Sequence, residues 1–278
     1  MELINAIKAH PLYADPLSSD SQLGQYRDWC NELIKLELKY PELKQPNSPS
    51  NAAVPNFNRN TIGLPFPIYT PKEIFDTDAL RDWAILDNPF VMTVSEHIEG
   101  LPFAAVYNNG ELQMAATKPI YSTTGYNLID IVRTIPDIPN RINIRGRVCI
   151  EAVMTVPKYA SEEEKAPVNP YAVIIDTIRK NRTDDAAGFN AIAYDIVNDT
   201  VTETQESVFD RLYAEGFTVP NHDTAADITD LIELADIYRQ DSSFDYTTDG
   251  ALIQISDRII QRSIKPNGRY TQSAILFK

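Results

Sequence analysis

The sequence predicts an α+β fold, with strands and helices segregated rather than doubly wound. Three observations predict it: two alternating strand-like runs joined by an Asn-Gly turn, amphipathic helical stretches set apart from the strands, and a chain of 278 residues with 43% hydrophobic content. That length suffices for one large domain, or a main domain with a small one beside it.

The elements follow in chain order. From Ser21 to Tyr40, the residues Tyr26, Trp29, Cys30, Leu33, Leu36 and Tyr40 recur at three- and four-residue steps, an amphipathic helix stopped by Pro41. Residues 44–60 carry Pro46, Pro49 and Pro55 among Asn and Ser, and read as a linker. The division expected is a helical cap with its linker over 1–60 and a main domain over 61–278. Pro71–Trp83 predicts a helix with Phe75, Leu80 and Trp83 as core contacts. Leu101–Tyr107 and Glu111–Thr117 predict a hairpin, because both Asn109 and Gly110 tolerate positive φ. Asn143–Met154 and Ala191–Val197 predict strands, and Val201–Gln205 leads into a helix over Ser207–Glu215. Asp223 is the expected N-cap of a helix over Thr224–Arg239, burying Ile228, Leu231, Ile232 and Ala235. Ala251–Ser256 predicts a central strand, and Glu162–Lys165 a solvated loop.

With 25 basic against 39 acidic residues, the formal charge is −14. A field of that sign repels phosphate backbones, so strong direct DNA binding is not expected. It suits a protein that binds small molecules or other proteins, and solubility alone accounts for it equally. Cys30 and Cys149 form neither a metal knuckle nor a disulfide framework. No apolar run reaches membrane length and the first residues lack a signal pattern, so a cytoplasmic setting is expected.

Chemistry motifs are sparse. Among three histidines there is no H-E-x-x-H, and the chain has no G-x-G-x-x-G and no P-loop. His97 and Glu99 form an H-x-E triplet, as in zinc deaminases, but the P-C-x-x-C partner is missing and no metal site is expected.

Eight stretches, in order, carry a resemblance. They are LIKLELKYPELKQPNSPS, FPIYTPKEIFD, SEHIEGLPFAAVYNNGELQMAATK, TTGYNLIDIVRTIPDIP, INIRGRV, AIAYDIV, TTDGALIQIS and AILFK. Together they resemble the cap and adenylation domain of NAD-dependent DNA ligases, whose H-P-E-L, K-x-D-G, A-T-R, N-V-R-T-I-P, V-R-G-E-V, A-Y-G and D-G-V-V-I-K runs fall in the same order. The resemblance implies a nucleotidyltransferase fold of antiparallel sheets with flanking helices, plus a small helical cap. It also implies a chain that stops at the final motif, without the family's OB-fold, zinc and helix-hairpin-helix modules.

The resemblance places His97 where the family has its nucleophilic lysine and Glu99 where it has the neighbouring aspartate. Adenylation needs an amine that attacks the α-phosphate. Imidazole can form a phosphoramidate, but its ring is shorter and differently aimed. Arg147 stands at the ribose-directed acid, and Gln254 at a phosphate-facing lysine; losing one such donor lowers a rate by roughly 100- to 1000-fold. Tyr194 takes the place of the aromatic that stacks on adenine and Leu252 that of its apolar partner. Lys118, Arg147 and Lys278 are candidates for a basic phosphate pocket, with Thr70 and Pro71 on the adenine side and Glu96 and Ile98 flanking His97. In the cap, Tyr13, Tyr26 and Arg27 are the candidate ligand contacts, Leu23 and Arg27 occupying two aspartate positions. Read without a ligand, Tyr194 and Leu252 are core residues and Lys118 and Arg147 surface charges.

The expected function is a catalytically silent binder of an adenine nucleotide such as NAD, ADP-ribose or a related signalling molecule. The alternatives are an interaction subunit with a protein partner in DNA replication or repair, and a split NAD-dependent ligase subunit using His97 as nucleophile.

Overall fold

The computed structural model describes residues 2–9, 29, 32–33, 36–37, 40, 43, 48, 61–86, 91–118, 124–158, 169–180, 182–240, 246–268 and 270–278. Tyr13, Leu23, Tyr26, Arg27, Cys30, nearly all of the 44–60 linker and the Glu162–Lys165 loop lie outside them.

The described chain divides into two units: residues 1–67 with 116–128, and residues 68–115 with 129–278. In the first, α1 (Glu2–Ala9) buries Ile4 and Ile7, three residues apart on one face, against Leu33, with Leu3 and Trp29 alongside. A short antiparallel pair joins β1 (Thr61–Gly63) to β6 (Thr124–Tyr126).

The second unit contains the Asn-Gly hairpin. β4 (Leu101–Asn108) and β5 (Glu111–Thr117) are joined by Asn109 at φ 49° and Gly110 at φ 86°, the left-handed pair that a type I′ turn requires. A Cβ on Gly110 would also stand 2.2 Å from the Ile142 carbonyl oxygen, so glycine is dictated twice over. β7 (Arg147–Thr155) and β8 (Asn190–Ile196) complete a four-stranded sheet in the order β5-β4-β7-β8. The strand predicted from Asn143 begins four residues later. Asn143 donates its backbone N–H to the Glu215 carboxylate at 2.6 Å, and Gly146 turns the chain at φ 80°.

The other sheet has five strands: β2 (Thr70–Ile74), β3 (Met92–Ile98), β9 (His222–Ala225), β10 (Thr248–Ile255) and β11 (Tyr270–Phe277). Their order is β2-β11-β10-β3-β9, so β10 is central, as its unbroken apolar run predicts. Every pair is antiparallel except β2 with β11.

Two helix predictions are corrected here. Pro71–Ile74 is strand, and the helix is α2 (Thr77–Leu86), started by Asp76, whose carboxylate accepts from Ala79 N–H at 2.7 Å. Proline is tolerated in β2 because that strand is an edge. Of the three predicted core contacts, Leu80 is fully buried and Trp83 packs beside it, whereas Phe75 is 66% exposed. Asp223 likewise lies in β9, accepting from the Tyr238 hydroxyl; Asp227 initiates α6 (Ile228–Gln240) by accepting from Thr229 and Asp230 N–H. Both stretches contain two aspartates or a proline before one apolar periodicity, and the later cap wins. The remaining helices are α3 (Ile129–Val132), α4 (Pro170–Arg179), α5 (Gln205–Ala214) and α7 (Arg258–Ser263). α4 is signalled by Asn169, which caps Ala172 N–H, followed by Pro170 in the first turn.

Strand alternation gives the five-stranded sheet two distinct faces. Met92, Val94, Ala251, Ile253, Ile255, Ile275 and Phe277 form one face, covered by Leu80 of α2 and Leu231, Ala235 and Tyr238 of α6. The opposite, inner face meets the four-stranded sheet. Ile98, Leu252 and Ala274 there form one apolar cluster with Val153, Ile192 and Tyr194. Cys149 is fully buried, and burial pushes its thiol up to about 12, which removes it as a nucleophile at neutral pH. Among the described residues, no helix is long and apolar enough to cross a membrane.

Candidate functional site

The inner face of β3 and β10 collects the residues singled out in the sequence. Register pairs Leu252 with Ser95 and Gln254 with Thr93, so these four side chains share that face. His97, two residues beyond Ser95, has its ring 6.4 Å from that of Tyr194 on the facing sheet. Tyr194 is 6% exposed, and its hydroxyl bridges the sheets: it donates to the Glu96 carbonyl at 3.0 Å and accepts from Ile98 N–H at 2.9 Å. Burial raises the phenol's pKa far above its ordinary value, so it stays neutral and fixes the backbone on both sides of His97.

Glu96 alternates away from His97. Its backbone N–H donates to the Asn221 carbonyl, and its carboxylate accepts from Asn221 N–H at 3.1 Å and from the Asn221 carboxamide at 3.4 Å. Thr70 opens β2 opposite Tyr270. Arg147 is exposed at the start of β7, against the Met114 sulfur at 3.6 Å. Lys118 belongs to the first unit.

Lys278 follows β11, its N–H donating to the Ile74 carbonyl. Its ammonium lies 2.8 Å from the Asp249 carboxylate and 3.2 Å from that of Glu73. Burial alone would lower its pKa; the two carboxylates outweigh that and raise it, so Lys278 is firmly charged and already paired. Glu99 sits in the same group. Burial first, and then the Asp249 charge, raise its pKa, with Lys278 partly offsetting them. Three carboxylates therefore gather about one ammonium at this end of the face.

Two polar atoms lower on the face have no hydrogen-bond partner: the Ser95 hydroxyl oxygen, in a residue of zero exposure, and the buried Gln254 Oε1. Sequence reasoning missed Ser95, Asn221, Glu73 and Asp249. Glu73 and Asp249 lie within quoted motif runs, but only the tertiary pairing with Lys278 reveals their part. Among the described residues, no group of three His, Cys, Asp or Glu side chains is placed to hold a metal ion.

Two antiparallel-dominated sheets meeting over a strand-borne position such as His97 define a nucleotidyltransferase-type architecture. Residues 58–278 match the family model described as NAD-dependent DNA ligase adenylation domain, and the chain belongs to that family. The DNA ligase of Petrotoga mobilis is 29% identical over 95% of this chain and 42% of its own length. That of Herpetosiphon aurantiacus is 29% identical over 95% of this chain and 43% of its own length. The chain thus spans less than half of these relatives. A solved Lig E DNA ligase is similar at 13% identity and a TM-score of 0.45, covering 77% of this chain and 69% of that one.

Proposed function

We propose that this chain is a non-adenylating member of the ligase adenylation family that binds the adenosine part of an adenine nucleotide or a relative of it. The observation that carries this is the state of the position where an amine must attack phosphorus. An imidazole, His97, stands there, beside a phosphate-facing position held by neutral Gln254, and the Lys278 ammonium is engaged by Asp249 and Glu73. A phosphoryl-transfer transition state needs preorganised positive charge, and binding without it leaves the ligand intact. Tyr194 and Leu252 supply apolar surface suited to a purine, and the family's use of NAD supplies the ligand class.

Intact-mass spectrometry of the full chain after incubation with NAD or ATP tests the reading, alongside calorimetry with adenine ligands. Unchanged mass with saturable binding is expected. A mass gain of one AMP that disappears in His97→Ala would overturn it and establish the split-ligase reading. Absence of binding by every adenine ligand would overturn it in favour of an interaction subunit.

A further inference from the structure

Within the proposed binding role, the structure points to which part of a nucleotide the site accepts. We infer that the inner face selects an uncharged nucleoside and disfavours its phosphorylated forms. The inference rests on the reading above and adds to it the sign of the site's charge and the polarity of its unpaired atoms.

Charge comes first. Lys278 would be the cation available to a phosphate near His97, and two carboxylates already hold it at 2.8 and 3.2 Å. Glu99 adds a third carboxyl to the group. The neighbouring cation, Arg239, is turned elsewhere: it pairs with Asp236 at 2.7 Å and lies over the Phe277 ring, on the helix-covered side of the sheet. An incoming phosphate would therefore meet a surplus of negative charge, with Lys278 released only by breaking both ion pairs. At a partly desolvated site, an added phosphate dianion is expected to weaken binding about tenfold or more.

The unpaired atoms give an independent indication. Gln254 presents a carbonyl oxygen, which only accepts hydrogen bonds, and it has no partner. Phosphate oxygens at neutral pH are also acceptors, so the two cannot satisfy one another. The fully buried Ser95 hydroxyl, diagonally across the β3–β10 pair, is likewise without a partner. A buried polar atom without a partner costs free energy, which a ligand carrying donors recovers. A nucleoside carries such donors in its ribose hydroxyls and exocyclic amine. The residues present thus fit the adenosine half of NAD and do not fit its pyrophosphate.

Calorimetry on the full chain with adenosine, AMP and ADP as separate ligands tests this, together with Asp249→Asn and the double variant Glu73→Gln/Asp249→Asn. Adenosine is expected to bind at least tenfold tighter than AMP to the unaltered chain. The double variant frees Lys278 and is expected to narrow or invert that ratio, thermal unfolding confirming that it folds. Should it not fold, Gln254→Lys is the second route, predicted to strengthen AMP and weaken adenosine. AMP binding as tightly as adenosine would overturn the inference while leaving the binding role intact. No binding of any of the three ligands would instead remove the binding role itself.

Discussion

Tyr194→Phe isolates one interaction that joins the two sheets. The substitution keeps the ring and its packing against Leu252 and Ile98, and removes a hydroxyl that bonds the Glu96 carbonyl at 3.0 Å and the Ile98 N–H at 2.9 Å. Both backbone groups lie beside buried side chains, Glu96 at 4% and Ile98 at zero exposure, so water cannot readily replace the hydroxyl. Leaving a buried donor or acceptor unsatisfied costs about 1–3 kcal/mol, which for the two groups together gives roughly 2–5 kcal/mol. For a unit of this size the midpoint of thermal unfolding should fall by roughly 5–15 °C. Circular dichroism melts and urea titrations of both proteins measure it, with Tyr213→Phe as control. Tyr213 is 72% exposed, and its variant should remain within about 0.5 kcal/mol of the unaltered chain. If Tyr194→Phe were no more costly than that control, the bridge would not be holding the sheets together.

Glu206 provides a pH-dependent prediction. Burial alone would raise its pKa above the model value of 4.5, but bonds donated by the Ser256, Thr93 and Thr224 hydroxyls outweigh burial and lower it. A carboxylate with a depressed folded pKa contributes stability above its unfolded value and loses it as pH falls through the folded one. Glu206→Gln should therefore lower the melting temperature at about pH 7, the gap closing steadily below pH 4.5, and an unchanged gap in acid would contradict the assignment. Gly110→Ala should destabilise by more than about 1 kcal/mol, because it forces a side chain into positive φ and onto the Ile142 carbonyl. Equal urea midpoints for the two proteins would refute that geometry.

The fold was legible where local chemistry and tertiary packing agree. Asn109-Gly110 dictates its hairpin without help from the rest of the chain, and the β10 apolar run marks a strand buried on both faces. β2 and β9 were missed for one reason. Each is a short strand with little alternation that acquires its conformation from a neighbour distant in sequence, β11 for the first and β3 for the second. The helices behind them were read, but each was started too early, at Pro71 and Asp223 rather than Asp76 and Asp227.

The site divides along the same line. The motif resemblance located His97, Tyr194, Leu252, Gln254 and Lys278, and the folded chain brings them to one face. What spacing could not convey is which charges neutralise one another. Lys278, Asp249 and Glu73 are widely separated in sequence, and Asn221 reaches Glu96 from the loop before β9. A lysine counted as a phosphate ligand from a motif proves to be half of two ion pairs.

The parallel pairing of β2 with β11 bears on how this chain assembles. The two strands are roughly two hundred residues apart, and β11 also supplies one neighbour of the central strand. During synthesis, β2 emerges early and waits through almost the whole of translation for its only sheet partner. Over the same interval β10 keeps one side open to mispairing. Closure of the sheet is thus a late event that cannot be brought forward by local structure, and it makes the nascent chain a natural client for chaperones that shield exposed strand edges.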